Sequence, residues 1–284
     1  MRKGKPPRWR KIPRDERNEA ETFLRDREQY CVSASARFLG MNDRRDYVWY
    51  MPGPEGEISA LLLHTRHSLF PVFDKNKNIP RLRFLKRFPV RVPIHALQGL
   101  KEDTEILEAH MEEQGYYADE RIDYALMSLD DEPNPQALKA GPQGLLLRRP
   151  AAGDEESLFA LQSAYEQEEV LPRKAVFNPA VCRLNLENIL SSEHTLVAEL
   201  DKQVVGKINT SAESFTRYQI GGVYVRPDCR GLGIAARMTA FFVQDLLAQG
   251  KGITLFVKKQ NNAALKVYRK TGFVILADYR ISYF

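Results

Sequence analysis

Val225-Arg226-Pro227-Asp228-Cys229-Arg230-Gly231-Leu232-Gly233-Ile234-Ala235 reads as the end of an apolar strand, a short basic loop and the start of a helix. A helix start leaves backbone N–H groups without intrahelical partners, and the helix dipole adds positive potential there. Arg230 puts a full charge beside them, so the loop suits a phosphate group. Gly231 and Gly233 let the backbone approach such a group with no Cβ in the way. A second strand–helix unit follows. It carries Asn261-Asn262-Ala263-Ala264-Leu265-Lys266-Val267-Tyr268-Arg269-Lys270-Thr271-Gly272-Phe273, a helix with a capping asparagine first and closed by Gly272.

Together the two segments resemble the GCN5-related N-acetyltransferase (GNAT) superfamily, and within it the FR47-like branch. Arg230, Gly233 and Ala235 take the defining positions of that family's pyrophosphate loop, Arg/Gln-x-x-Gly-x-Gly/Ala. Asn261, Ala264, Tyr268, Gly272 and Phe273 match its Asn-x-x-Ala-x-x-x-Tyr-x-x-x-Gly-Phe pattern. The resemblance covers roughly residues 144–284. It implies an α/β (α+β) fold with a mixed central sheet flanked by helices. It also implies an acyltransferase that uses acetyl-CoA, without a metal, to acetylate a small-molecule or peptide amine directly.

The resemblance assigns roles residue by residue. The pyrophosphate would lie on the backbone N–H groups of Leu232, Gly233, Ile234 and Ala235, with Arg230 and Gly231 beside it. The pantetheine arm would pair like an added strand with Val223-Tyr224-Val225, and Asn261 would touch it. The backbone N–H of Val225 or a neighbour would hold the thioester carbonyl. Tyr268 stands where the family's general acid lies, a phenol expected at its ordinary pKa near 10. Many relatives carry a basic glutamate on the fourth strand, but that register here holds Gln219. Glu168 and Glu169, at the end of the domain's first helix, are the substitutes, with a water relay as the alternative. Without a base the fold could equally serve as a non-catalytic module that binds coenzyme A or a partner.

The 284 residues suffice for one large domain or two ordinary ones, and 43% hydrophobic with 28% charged residues is a globular composition. No apolar run reaches the roughly 18 residues needed to span a bilayer, and the basic N-terminal stretch lacks the apolar core of a secretory signal. Cys31, Cys182 and Cys229 are far apart, with neither metal-ligand nor disulfide spacing, which suits a reducing cytoplasm. The net charge of +5 is local: residues 1–14 carry seven bases and no acid, and the remaining 35 bases face 37 acids. That arm is expected to be a flexible or docked extension. Pro6, Pro7 and Pro13 break any continuous basic helix, which argues against a nucleic-acid tether.

Four segments are expected: the arm 1–14, a degenerate acetyltransferase-like lobe 15–130, a linker 131–143 rich in Pro and Gly, and the GNAT domain 144–284. In the lobe, the pattern predicts a charged helix over 15–30, strands over 47–51, 58–64 and 92–97, an acidic helix over 102–114, and a strand over 122–129. In the domain it predicts strands over 145–149, 195–200, 204–209, 217–226 and 253–257. Helices are expected over 154–169, 178–192, 231–249 and 261–271, and two short strands over 273–276 and 279–284.

Overall fold

The computed structural model describes residues 9–13, 17–41, 46–74 and 94–284. The chain divides into two units: Met1–Ala125 with Ala277–Phe284, and Leu126–Leu276. The division falls inside strand β6 (Glu120–Leu129), ahead of the linker expected at 131–143. The last strand, β12 (Val274–Tyr283), is also shared, its final residues being counted with the first unit. It is one strand where the sequence pattern predicted two short ones.

In the first unit, β1 (Arg10–Lys11), β2 (Tyr47–Pro52), β3 (Ile58–Thr65), β4 (Ser68–Phe73) and β5 (Ala96–Leu100) lie side by side in chain order. The end of β12 pairs antiparallel with β5, from Tyr279 opposite Leu100 to Tyr283 opposite Ala96. Strand β4 is an element the sequence pattern missed. Its turn, Arg66-His67, adopts positive φ at both residues (48° and 64°) without the Asn-Gly signature that such hairpin turns usually carry. The expected strand over 92–97 is observed as Ala96–Leu100; Val92 lies outside the described residues.

The predicted helix over 15–30 is two helices, α1 (Arg17–Arg25) and α2 (Glu28–Leu39), with a kink at Cys31 (φ −141°). Both helices bury apolar residues, Ala20, Phe23 and Leu24 on α1 and Val32, Ala34 and Phe38 on α2. Helix α3 (Lys101–Glu112) follows β5 directly and buries Leu107 and Met111 against Leu62, Leu69 and Leu97. The basic arm is partly structured: β1 pairs with β2, Ile12 is buried, and Lys11 lies 4.4 Å over the Tyr47 ring. Residues 9–13 are therefore docked rather than flexible; residues 1–8 lie outside the described set.

An ion-pair network ties β6, α3 and β12 within this unit. Asp123 accepts from Arg280 Nε and Lys101 Nζ, each at 2.7 Å. The Arg280 bond above all lowers its pKa from 3.8 to about 2. A depressed carboxylate pKa stabilises the fold above the unfolded value and loses that contribution as the pH falls through the folded one. Acid titration should therefore cost about 1–2 kcal/mol between about pH 4 and pH 2, after allowance for partial exposure. Asp123→Asn should remove this part of the pH dependence. An unchanged acid-unfolding profile would remove Asp123 from the account.

In the second unit the strand order is β6-β11-β10-β9-β8-β7. The members are β7 (Leu146–Arg148), β8 (Thr195–Leu200), β9 (Gln203–Glu213), β10 (Arg217–Val225) and β11 (Gly252–Lys258). A short helix, α4 (Pro135–Leu138), begins in the expected linker under an Asn134 cap. Helices α5 (Glu155–Tyr165), α6 (Pro179–Ser192), α7 (Ile234–Leu247) and α8 (Asn262–Thr271) complete the unit. Leu158, Leu186 and Val197 form one core cluster. Val181 and Leu184, expected as anchors of α6, are more than half exposed, and Cys182 and Leu186 carry its buried face. In α7 the buried aromatic is Phe242, with Phe241 on the outer side. The helix expected over 154–169 is regular only to Tyr165 and passes into a π turn over Glu166–Val170.

Among the described residues no helix is long and apolar enough to cross a membrane, and no group of His, Cys, Asp and Glu is arranged to hold a metal.

Candidate active site

Strands β10 and β11 run parallel, and their ladder extends only from Arg217 opposite Gly252 to Gln219 opposite Thr254. Beyond that point Val223-Tyr224-Val225 has no partner residue on β11, so the two strands part there. On its other edge β10 pairs with β9 up to Val225 opposite Gly206. That ladder is interrupted once near the gap: Gly221 faces Asn209 and Tyr224 faces Lys207, so Gly222 and Val223 together oppose Ile208.

Beyond β10, a single 3-10 turn at Pro227–Cys229 leads into the glycine loop. Gly231 (φ 80°) and Gly233 (φ 84°) both occupy the left-handed region that favours glycine. Nothing lies within 4 Å of the place a Cβ would take at Gly231, so the loop is an open cradle there. At Gly233 the same atom would come within 3.0 Å of the Gly141 backbone nitrogen. Gly233 caps α7, so the free N–H groups of that helix point into the loop. Leu232 is half exposed, Ile234 is buried and anchors the first turn, and Ala235 is intermediate.

The other candidate residues converge on this gap. Arg230 donates through Nε to the Val225 carbonyl (3.0 Å) and through Nη2 to Glu168 (2.9 Å), and lies 5.0 Å over the Tyr224 ring. Tyr224 donates its hydroxyl to Glu168 at 2.6 Å. On the opposite bank, Asn261 caps α8 through Ala264 N (3.0 Å) and donates to Glu169 at 3.0 Å. Lys258 reaches Glu169 at 3.5 Å and the Glu168 carbonyl at 3.3 Å. The π turn thus lays one carboxylate on the end of β10 and the next on the end of β11. Arg230 and Glu168 are each close to half exposed, so their pair is weak enough for an incoming phosphate to displace.

Residues 156–273 match the model of the Acetyltransferase (GNAT) family. This stretch is a GNAT domain. Among solved structures, a Drosophila protein superposes with a TM-score of 0.67 at 11% identity, covering 98% of this chain and 99% of that one. A GCN5-related N-acetyltransferase from Sphaerobacter thermophilus gives 0.56 at 21% identity, over 93% of this chain and 84% of the other. A tandem GNAT protein from the clavulanic acid biosynthesis pathway gives 0.56 at 12% identity, over 98% of both chains. At these identities the likeness is one of fold. No curated protein matches.

Within the GNAT domain the residues expected from the sequence to act as acid and base are in unlike settings. Tyr268 is buried, with its ring edge-on to Phe273 at 5.8 Å. Burial raises its pKa well above the ordinary phenol value, with Tyr165 and Glu169 adding to the shift, so the unperturbed value expected from sequence does not hold. Glu168 moves the other way: the Tyr224 hydroxyl and then Arg230 hold its carboxyl below the usual range, which weakens it as a proton acceptor. Gln219 is buried and donates to Ser211 at 3.2 Å, a structural bond in the register where relatives carry the base.

Sequence reasoning passed over Lys207, Tyr165 and Asn209. Lys207 is 1% exposed, and burial lowers its pKa from 10.5 to about 7. Its Nζ donates to Asn209 Oδ1 (2.9 Å) and to the Gly222 carbonyl (3.1 Å), 5.2 Å from the Tyr165 ring. The available signal was the alternation Val205-Lys207-Asn209, which puts two polar residues on an inward face of β9.

Proposed function

We propose that the protein is an acetyl-CoA-dependent N-acetyltransferase that moves an acetyl group directly to an amine on a small molecule or peptide. One observation carries this reading above the others: the gap between β10 and β11 opens at the glycine loop that caps α7, with Tyr268 buried nearby in α8. Gly231, with open space around it, and Arg230 fit a pyrophosphate. The parted strands fit a slender chain that carries amide groups.

Acetyl-CoA would supply an activated acyl group as a thioester. The N–H groups over Gly231–Ala235 bind the pyrophosphate, and Arg230 exchanges Glu168 for it. Val223–Val225 orient the pantetheine arm by main-chain hydrogen bonds. As the amine attacks, a backbone N–H of the β10 bulge stabilises charge on the carbonyl oxygen. Tyr268 gives its proton to the departing thiolate; burial keeps the phenol protonated and makes it a weaker acid than a free tyrosine. Glu169 lies on the same bank and takes the proton of the amine, directly or through water; Glu168 serves as an anchor.

The test is a panel of amine acceptors incubated with acetyl-CoA and followed by thiol release. Transfer to one acceptor class supports the reading. Saturable coenzyme binding with no release above solvent hydrolysis, for every amine, would make the domain a coenzyme-binding module instead. Tyr268→Phe should lower kcat about 10²-fold while coenzyme A affinity stays within about 3-fold. An unchanged kcat would take the tyrosine out of the mechanism.

A further inference from the structure

The β10 bulge is gripped from both of its polar ends. The Gly222 N–H donates to the Tyr165 hydroxyl at 3.3 Å, and the Gly222 carbonyl accepts from Lys207 Nζ at 3.1 Å. Gly222 sits at φ 59°, and a Cβ there would fall 2.0 Å from Asn209 Oδ1 and 2.7 Å from Lys207 Nζ. The fit around this peptide leaves no spare volume. A trans peptide sends its carbonyl and the following N–H in opposite directions, and the described chain holds no cis bond. With the Gly222 carbonyl held by Lys207 Nζ, the Val223 N–H of the same peptide is turned away from that amine. Val223 belongs to the stretch of β10 that has no partner residue on β11.

We infer that Lys207 is a positioning residue: by holding the Gly222 carbonyl it aims the Val223 N–H into the gap as the donor to a thioester carbonyl. The inference rests on the coenzyme A reading above and narrows it to one backbone group. A buried amine is a costly way to fill volume, and Leu or Met would fill it with no polar atom to satisfy. What the amine adds is a rigid donor aimed at one carbonyl. Asn209 aims the Nζ in turn, and the ionisable groups acting on it, Glu166 of the π turn and Cys182 of α6, stand on separate elements. Either protonation state of the amine keeps N–H bonds for Gly222 and Asn209.

The experiment uses the full chain with acetyl-CoA labelled with carbon-13 at the thioester carbonyl, so no acceptor is needed. Bound to the wild type, the carbonyl infrared band should move to lower frequency, as a hydrogen bond to the oxygen requires. In Lys207→Met the label should still bind, within about 3-fold in Kd, but its band should return toward the solution position. With an active amine, kcat should fall about 10²-fold at nearly constant KM, the loss seen when an oxyanion donor is withdrawn. Tyr165→Phe removes one hydroxyl from the other end of the bulge and should move the band part of the way; it decides the matter if Lys207→Met does not fold. Normal binding with the band still at the wild-type frequency in both variants overturns the role of Lys207 alone. Failure of the wild type to bind acetyl-CoA overturns the coenzyme reading itself, and this inference with it.

Discussion

Gly222→Ala is expected to destabilise the protein by about 3–5 kcal/mol, the largest loss foreseen for any single methyl addition in the GNAT domain. Positive φ at an alanine costs about 1–2 kcal/mol by itself. The new Cβ would also meet Asn209 Oδ1 at 2.0 Å and Lys207 Nζ at 2.7 Å. Both are buried, so neither can swing into solvent to make room. Moving Lys207 breaks its bond to Gly222 and leaves a buried donor without that partner, for about 1–3 kcal/mol more. A thermal melt should fall by about 10 °C or more. Gly231→Ala is the comparison: its φ is equally positive (80°), but the surrounding space is open, so strain alone should apply. Equal losses for the two variants would mean that the packing at the bulge contributes nothing.

Gly233→Glu should abolish saturable coenzyme A binding, by at least about 10²-fold in a calorimetric titration. The change puts a carboxylate where phosphate oxygens would lie, at the positive end of α7, and exchanges attraction for repulsion. It also adds a Cβ against the Gly141 nitrogen at a position with φ 84°, so the loop itself would shift. Gly231→Glu separates the two effects, because that position has room for a side chain and the same charge would be presented. Loss of binding in both, with Gly231→Glu folded, supports the phosphate site. Normal binding in both would put the phosphate elsewhere.

Much of the second unit was legible in the sequence because its signals are local. Asn261 caps α8 and Gly272 ends it in the left-handed region, each where the residue type led one to expect it. The glycine loop could be read for the same reason: Gly231 and Gly233 take up a backbone conformation that few other residues adopt. Strand β4 was lost because Arg66 and His67 enter positive φ without glycine or asparagine, with the pairing of β3 and β4 overriding their local preference. The break at Tyr165 was invisible too. A π turn needs one extra residue in the helix register, and here tertiary bonds from Glu168 and Glu169 hold it. The bulge clamp could not be foreseen, since it joins α5, β9 and β10, and nothing within ten residues of Lys207 marks its carbonyl partner. The charge of the N-terminal arm suggested an appendage, whereas Trp9 and Ile12 settle part of it against the first unit.

The sharing of β6 and β12 between the two units bears on how such a chain can change over generations. The first unit includes the final eight residues of the chain, and the second begins with the last few residues of a strand that starts in the first. Deleting either half of the gene would leave the surviving unit without part of a strand and carrying a stretch of another with no home. Neither unit is therefore a stretch of gene that can be moved as a cassette without cutting through a strand.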